Sequence, residues 1–187
     1  MASTYSADLK LELMATGENS GTWGNKTNTN LNLVQQAIAG FENISIAGGA
    51  QTTALLMSDG AVSTARNANI KLSGTITGNQ IVTVPDSIEK IYIIENATSG
   101  TFTVQVKTAS GTGVTFSTTD KGVRVLYADG TNIVDSTLIS ANSEQTLAGK
   151  TLTAPKFADA GFIADANGNE EIVFQTTSSA VNHVELT

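Results

Sequence analysis

The sequence predicts a mainly β protein with one short helix near its start. Three observations predict it. Thr, Ser, Asn and Gln supply 65 of the 187 residues, while charged residues reach only 14% and aromatics 5%. The chain is therefore polar through hydroxyls and amides, and Thr with other β-branched residues suits pleated surfaces. Short runs of period two recur through the middle of the chain, with Gly-containing turn pairs between them. The length corresponds to one domain or slightly more.

Three segments differ in composition. Residues 1–42 read as an irregular stretch followed by one helix. Asp8 to Leu13 alternates polar and apolar, as a short strand does. Thr16 to Thr27 is too rich in Gly and Asn to stay regular for long. Thr29 or Asn30 is expected to cap a helix of about ten residues. Leu31, Val34, Ile38 and Phe41 fall on one face of that helix, and Gly40 is its expected stop. So short a helix is marginal alone, so the apolar stripe must dock on something.

Residues 43–140 form the most strand-like block, expected to fold as a β-sandwich-like domain. Ile44 and Ile46, Leu55 and Met57, and Ile70 and Leu72 show period two. Ile91 to Ile94 is apolar on both faces, which fits a central strand. Phe102, Val104 and Val106 alternate with polar residues, and Val123, Val125 and Tyr127 repeat the pattern, each predicting one buried and one wet face. Ser99-Gly100 and Asp129-Gly130 separate such runs, and the second is a type I′ hairpin signal.

Residues 141–187 carry few large apolar groups: Leu147, Leu152, Phe157, Phe162, Ile163, Ile172, Val173, Phe174, Val181, Val184 and Leu186. Such a segment cannot build a core of its own against the entropy of ordering it. Its rhythm of strands and turns, with Asn167-Gly168 as one turn, favours a piece whose core other chains complete over a flexible tail. The end at Thr187, without a cap or polar tail, leads us to expect that the chain is the front of something longer. The net charge of −7 divides as −2, −1 and −4 over the three segments.

Several function classes are disfavoured. No cationic excess exists to neutralise phosphates, so nucleic acid is not an expected partner. No apolar run approaches the 20 or so residues of a membrane span, and no signal peptide is visible, so the chain is expected to be made in a cytoplasm. Without cysteine there are no disulfides, thiolate metal sites or thiol nucleophiles. Gly149-Lys150-Thr151 ends like a phosphate loop, but Glu144 stands where the leading Gly belongs. Asp165 to Glu170 begins like a calcium loop, yet Glu170 and Thr176 replace the required Gly and Glu. His183 is the single histidine. Glu170-Glu171 would point to opposite faces of a strand, the wrong geometry for a carboxylate pair. Asp59, Asp86, Asp120 and Asp129 sit in turn contexts, where turn chemistry accounts for them. No catalytic residue, metal ligand or cofactor site is expected. Trp23, the only tryptophan, is either a plug at the base of the helix or a docking anchor.

Specific strings carry a resemblance. Leu11-Glu12-Leu13-Met14-Ala15-Thr16-Gly17-Glu18, then Gly21-Thr22-Trp23-Gly24 and Thr27-Asn28-Thr29-Asn30-Leu31, resemble the opening of a group of tailed-bacteriophage tail fibre proteins. Glu95 to Gly100, Thr108 to Val114 and Tyr127 to Asn132 are similar to the middle of such proteins. Ser143 to Lys156, with Gln145-Thr146-Leu147-Ala148-Gly149-Lys150-Thr151-Leu152, is similar to their linker opening a fibre shaft. The resemblance implies a homotrimeric virion structural protein located in the tail. The N-terminus would attach to phage tail, adaptor or baseplate proteins, with Trp23, Asn25, Thr27, Leu31, Val34 and Ile38 as the attachment set. A compact β domain would follow. The C-terminal part would start a trimeric β shaft, with Leu147, Leu152, Phe157, Phe162, Ile172, Phe174 and Val184 between the copies. A distal region, not present in this sequence, would bind the bacterial surface receptor. The alternatives are a tailspike-type polysaccharide depolymerase, a carbohydrate-binding module on residues 43–140, and another non-fibre tail or capsid decoration protein.

Overall fold

A computed structural model of the chain describes residues 2–136 and, as backbone strands only, residues 161–164 and 170–174. The chain divides into two compact units, Met1–Gln145 and Thr146–Thr187. The architecture is mainly β with one helix.

The first unit opens with two short strands, β1 (Thr4–Tyr5) and β2 (Glu12–Leu13), paired antiparallel. The strand expected over Asp8 to Leu13 is thus cut to its last two residues. The reason lies in the backbone bonds: Leu9 O accepts from Arg66, Lys10 O accepts from the Gly60 N–H, and Lys10 itself has φ 53°. Helix α1 (Trp23–Ala39) follows and leads directly into β3 (Phe41–Ser45). The expected boundary at 42/43 therefore falls inside a strand.

From β3 onward the chain winds. β3, β5 (Asn69–Thr75) and β7 (Glu89–Ser99) lie in one sheet; β4 (Gln51–Ala54), β6 (Gln80–Val84) and β8 (Val104–Thr108) lie in the other. All pairings among these six strands are parallel. Each circuit lays one strand in each sheet, so the chain makes three turns of a two-sheet coil. The rows Phe41–Asn69–Ile93 and Gln51–Gln80–Val104 mark the stacked turns. Such pairing differs from the hairpin-linked strands of a Greek-key sandwich. Two sheets still enclose one core.

Glycines make the corners. Gly48, Gly74 and Gly100 have φ of 109°, 107° and 104°, one per turn. A Cβ on Gly100 would lie 2.3 Å from Ile76 O, and one on Gly74 would lie 2.8 Å from Ala47 Cβ. The corner therefore needs Gly for conformation and for closeness. Buried Gln80 ties the first two turns together, its Nε2 donating to the carbonyls of Gly49 at 2.7 Å and Gly78 at 2.8 Å. Ser99-Gly100 is consequently a corner between sheets.

After the third turn the chain reverses. β9 (Gly113–Phe116) runs antiparallel to β8, β10 (Gly122–Asp129) antiparallel to β7, and β11 (Ile133–Asp135) antiparallel to β10. These strands complete sheets of order β11-β10-β7-β5-β3 and β4-β6-β8-β9. Asp129-Gly130 does begin the β10–β11 hairpin, but only Gly130 has positive φ, so the turn is not type I′. Ile70, Leu72, Tyr92, Ile94, Leu126 and Ala128 from the first sheet meet Val82, Val84, Val104, Val106 and Phe116 from the second.

One expectation is inverted. In β10 the buried residues are Leu126 and Ala128, while Val123 and Tyr127 are exposed on the outer face and Val125 is half-buried there. Ile91 and Ile93 of β7 are likewise exposed, although β7 is the middle strand of five. Both strands are apolar on both faces, and the core could take only one.

In the second unit β12 (Gly161–Ala164) pairs antiparallel with β13 (Glu170–Phe174), in the registers Phe162–Val173 and Ile163–Ile172. These strands flank the turn expected at Asn167-Gly168. The remaining expectations for 141–187, a trimeric shaft and the roles of Leu147, Leu152, Phe157 and Val184 among them, lie outside the described residues, as do His183 and the turn itself.

Candidate interaction surfaces

The helix begins at Trp23, several residues before the expected cap. Two turns precede it, with Gly17, Asn19 and Gly21 at positive φ, and Thr22 occupies the cap position. Its 17 residues include poor helix formers such as Asn25, Thr27, Asn28 and Thr29. Contacts to the rest of the chain offset that weakness. Lys26 pairs with Glu12 at 2.8 Å, which lowers the Glu12 pKa and raises that of Lys26.

Two amides then clamp the helix to the domain. Asn30 accepts from the Glu12 N–H at 3.0 Å and donates to its carbonyl at 2.8 Å. Gln36 does the same to Ser63, donating at 3.1 Å and accepting at 3.4 Å. Each amide imitates a neighbouring strand for one residue of backbone. Leu33 is the helix's single buried residue. The amphipathic pattern had pointed to the opposite side: the chain holds its helix mainly by polar groups and leaves the apolar stripe outside. The clue in the sequence was the spacing of Lys26, Asn30, Leu33 and Ala37, which also share one helical face.

The expected attachment set is placed as follows. Trp23 is 65% exposed at the first helical position, so it does not plug the helix base. Leu31 is 60% and Ile38 74% exposed, with Val34 half-buried between them. Asn25 is exposed and its carbonyl accepts from Thr29 Oγ1 at 2.9 Å; Thr27 is half-buried. Phe41, 60% exposed, extends the stripe into β3. The helix therefore presents an apolar ridge, and its one charged residue, Lys26, lies on the other face, paired with Glu12. Gly40 is the stop, but with φ −66° it supplies no left-handed cap. Its role is closeness: a Cβ there would lie 2.2 Å from Gln36 O.

Several titratable groups bond within the fold. The Asp129 carboxylate takes the N–H groups of Asn132 and Thr131, and Asp86 takes that of Ser110; these bonds hold both carboxylates below their ordinary range. Asp120 pairs with Arg124. Arg66 is fully buried and donates to the carbonyls of Leu9, Ser58 and Ala61. Burial lowers its pKa, and Asp59 opposes that. Lys90 Nζ is 3.0 Å from the carbonyls of Asn67 and Ile91 and 4.2 Å from the centre of the Tyr92 ring. Among the described residues no cluster of His, Cys, Asp or Glu is arranged to hold a metal ion, and no helix is long and apolar enough to cross a membrane. The chain matches no protein-family profile, curated protein or solved structure.

Proposed function

We propose that this chain is a structural protein of a tailed-bacteriophage virion. In this reading it is the tail-proximal part of a homotrimeric tail fibre that works by binding. The N-terminal helix region joins it to tail, adaptor or baseplate proteins, the wound β domain spaces and rigidifies the joint, and residues 141–187 begin a three-chain β shaft. The fibre carries a host-receptor-binding region beyond this sequence.

The observation that carries the reading is the outward apolar ridge of Trp23, Leu31, Ile38 and Phe41. Helices of monomeric domains turn such a ridge to the core. Here the core side of α1 is already occupied by amide clamps, so the ridge is free for another protein. Trp and large aliphatic side chains make effective interface anchors. The strings that resemble those of tail fibres suggest the identity of that partner.

Incorporation into particles tests it. Purified virions should contain the wild-type chain by immunoblot. A Leu31→Ser/Ile38→Ser variant should fold normally by circular dichroism yet be depleted from particles at least tenfold. Absence of the wild-type chain from virions would overturn the proposal.

A further inference from the structure

We infer that the outer face of the β11-β10-β7-β5-β3 sheet is where copies of this chain pack against one another. The inference rests on the three-chain reading above.

The two sheets of the coil have very different backs. On the β4-β6-β8-β9 sheet, the outward rows are Thr52–Ile81–Gln105–Thr115 and Ala54–Thr83–Lys107–Gly113, mostly polar and small. On the other sheet, directly opposed residues form the rows Val134–Tyr127–Ile91 and Val125–Ile93–Asn69–Phe41, with Val123 beside them. Ile91 is 60%, Val123 50%, Val134 46%, Tyr127 39% and Ile93 37% exposed. With Phe41, this one face holds six of the fourteen exposed large apolar residues among the described residues.

Polar rows close the patch at both ends. Beyond Ile91 and Tyr127 lie Glu89 and Asp129, opposite each other. Beyond Ile93 lies Glu95, paired with Lys71 at 3.1 Å. Further along, Ser73 donates to Asn43 at 2.7 Å and Ser99 to Thr75 at 2.9 Å. Much of the polar part of the face is thus paired within itself, whereas the apolar part is exposed. An apolar centre with a polar rim is the composition of a protein interface.

Size and position argue for a second copy as the occupant. The apolar side chains expose on the order of 400–500 Å², at the upper end for a monomer's largest patch. A stable association buries roughly 800 Å² per partner, so the polar margin would be buried along with the apolar centre. The patch centre carries no charge, so identical faces meet without repulsion. The chain also leaves the coil beside it: Val134 belongs to the patch, and Ser136 is bonded to Val125 at 3.1 Å. If three chains are joined downstream, their exit points and these faces come together.

The absence of cysteine makes the test clean. Single cysteines are placed in the full chain as Ile91→Cys, Val125→Cys or Tyr127→Cys, with Thr115→Cys on the opposite back as control. Each variant is weighed by light scattering, treated with a short bismaleimide and run on a denaturing gel. We expect a three-chain mass and linked chains as the main species for at least one patch variant, with at least fivefold less linkage at Thr115. A three-chain mass with patch linkage no greater than the control overturns this inference and leaves the trimer standing. A two-chain mass with patch linkage supports the face and overturns the trimer. A single-chain mass overturns both.

Discussion

Arg66 joins two parts of the molecule at one point. Its guanidinium reaches the N-terminal segment through Leu9 and the loop between β4 and β5 through Ser58 and Ala61. Among the described residues no carboxylate bonds it; backbone carbonyls take most of that role. A planar fork of five donors spreads its bonds over several ångströms, whereas a lysine concentrates its three donors on one nitrogen. Arg66→Met should therefore cost about 3 kcal/mol in urea unfolding, because buried carbonyls lose their donors. Arg66→Lys should recover less than half of that. A neutral Arg66→Met would sink this account. Lys90 gives a pH signature. Burial pushes its pKa down from 10.5 to about 8. Between those values the unfolded chain holds the proton and the folded chain does not, so stability rises with pH across that window. Unfolding midpoints measured from pH 7.5 to 9.5 should show the rise in the wild type and a clearly smaller one in Lys90→Met, the remainder coming from Lys121, whose pKa burial also lowers. Neither residue was marked by the sequence, since an isolated Arg or Lys usually lies at the surface.

Periodicity made some elements legible and misled on others. The stop at Gly40 and the stripe of Leu31, Val34, Ile38 and Phe41 were readable, because side-chain spacing on a helix is fixed by geometry. The start at Trp23 was not, because Asn and Thr weigh against helix locally and tertiary clamps at Asn30 and Gln36 override that weight. Cutting one clamp should be visible: Asn30→Ala should raise amide exchange throughout Trp23–Ala39 by several-fold while leaving β5 to β8 unchanged. Unchanged helix exchange would show that the clamp does not hold it. In β10 the alternation was real but the phase was wrong. One face carries Val123, Val125 and Tyr127 and the other Leu126 and Ala128, and pattern alone cannot say which of two such faces the core takes. The corners are a different case. Gly100 combines φ 104° with a 2.3 Å approach to Ile76 O, so Gly100→Ala should cost about 2–3 kcal/mol in chemical denaturation. A cost near zero would mean the corner can relax.

At the scale of the whole molecule, two β layers around one core were legible and the winding was not. Short alternating strands look the same whether they pair with sequence neighbours or with strands a full turn away. A clue was present: Ser73-Gly74-Thr75-Ile76-Thr77 returns as Ser99-Gly100-Thr101-Phe102-Thr103, and Gly48 stands the same distance before Gly74. Repeats at this spacing are the mark of stacked turns. The winding also explains why the two backs can differ. Each turn sends one strand to each sheet, so residues of one composition accumulate on one side of the coil. In this chain the apolar ones gather on β7, β10 and β11, and the helix adds a second apolar ridge. Two such surfaces support the proposal that the chain works within an assembly, which is the central claim. A cryo-electron reconstruction of the intact particle, with this chain traced, tests it most directly. The account predicts three copies at the tail, with Ile91, Val125 and Tyr127 of each facing another copy and Trp23 and Ile38 seated on a tail protein. Density showing isolated copies with those residues in solvent, or no copy at the tail, would contradict it.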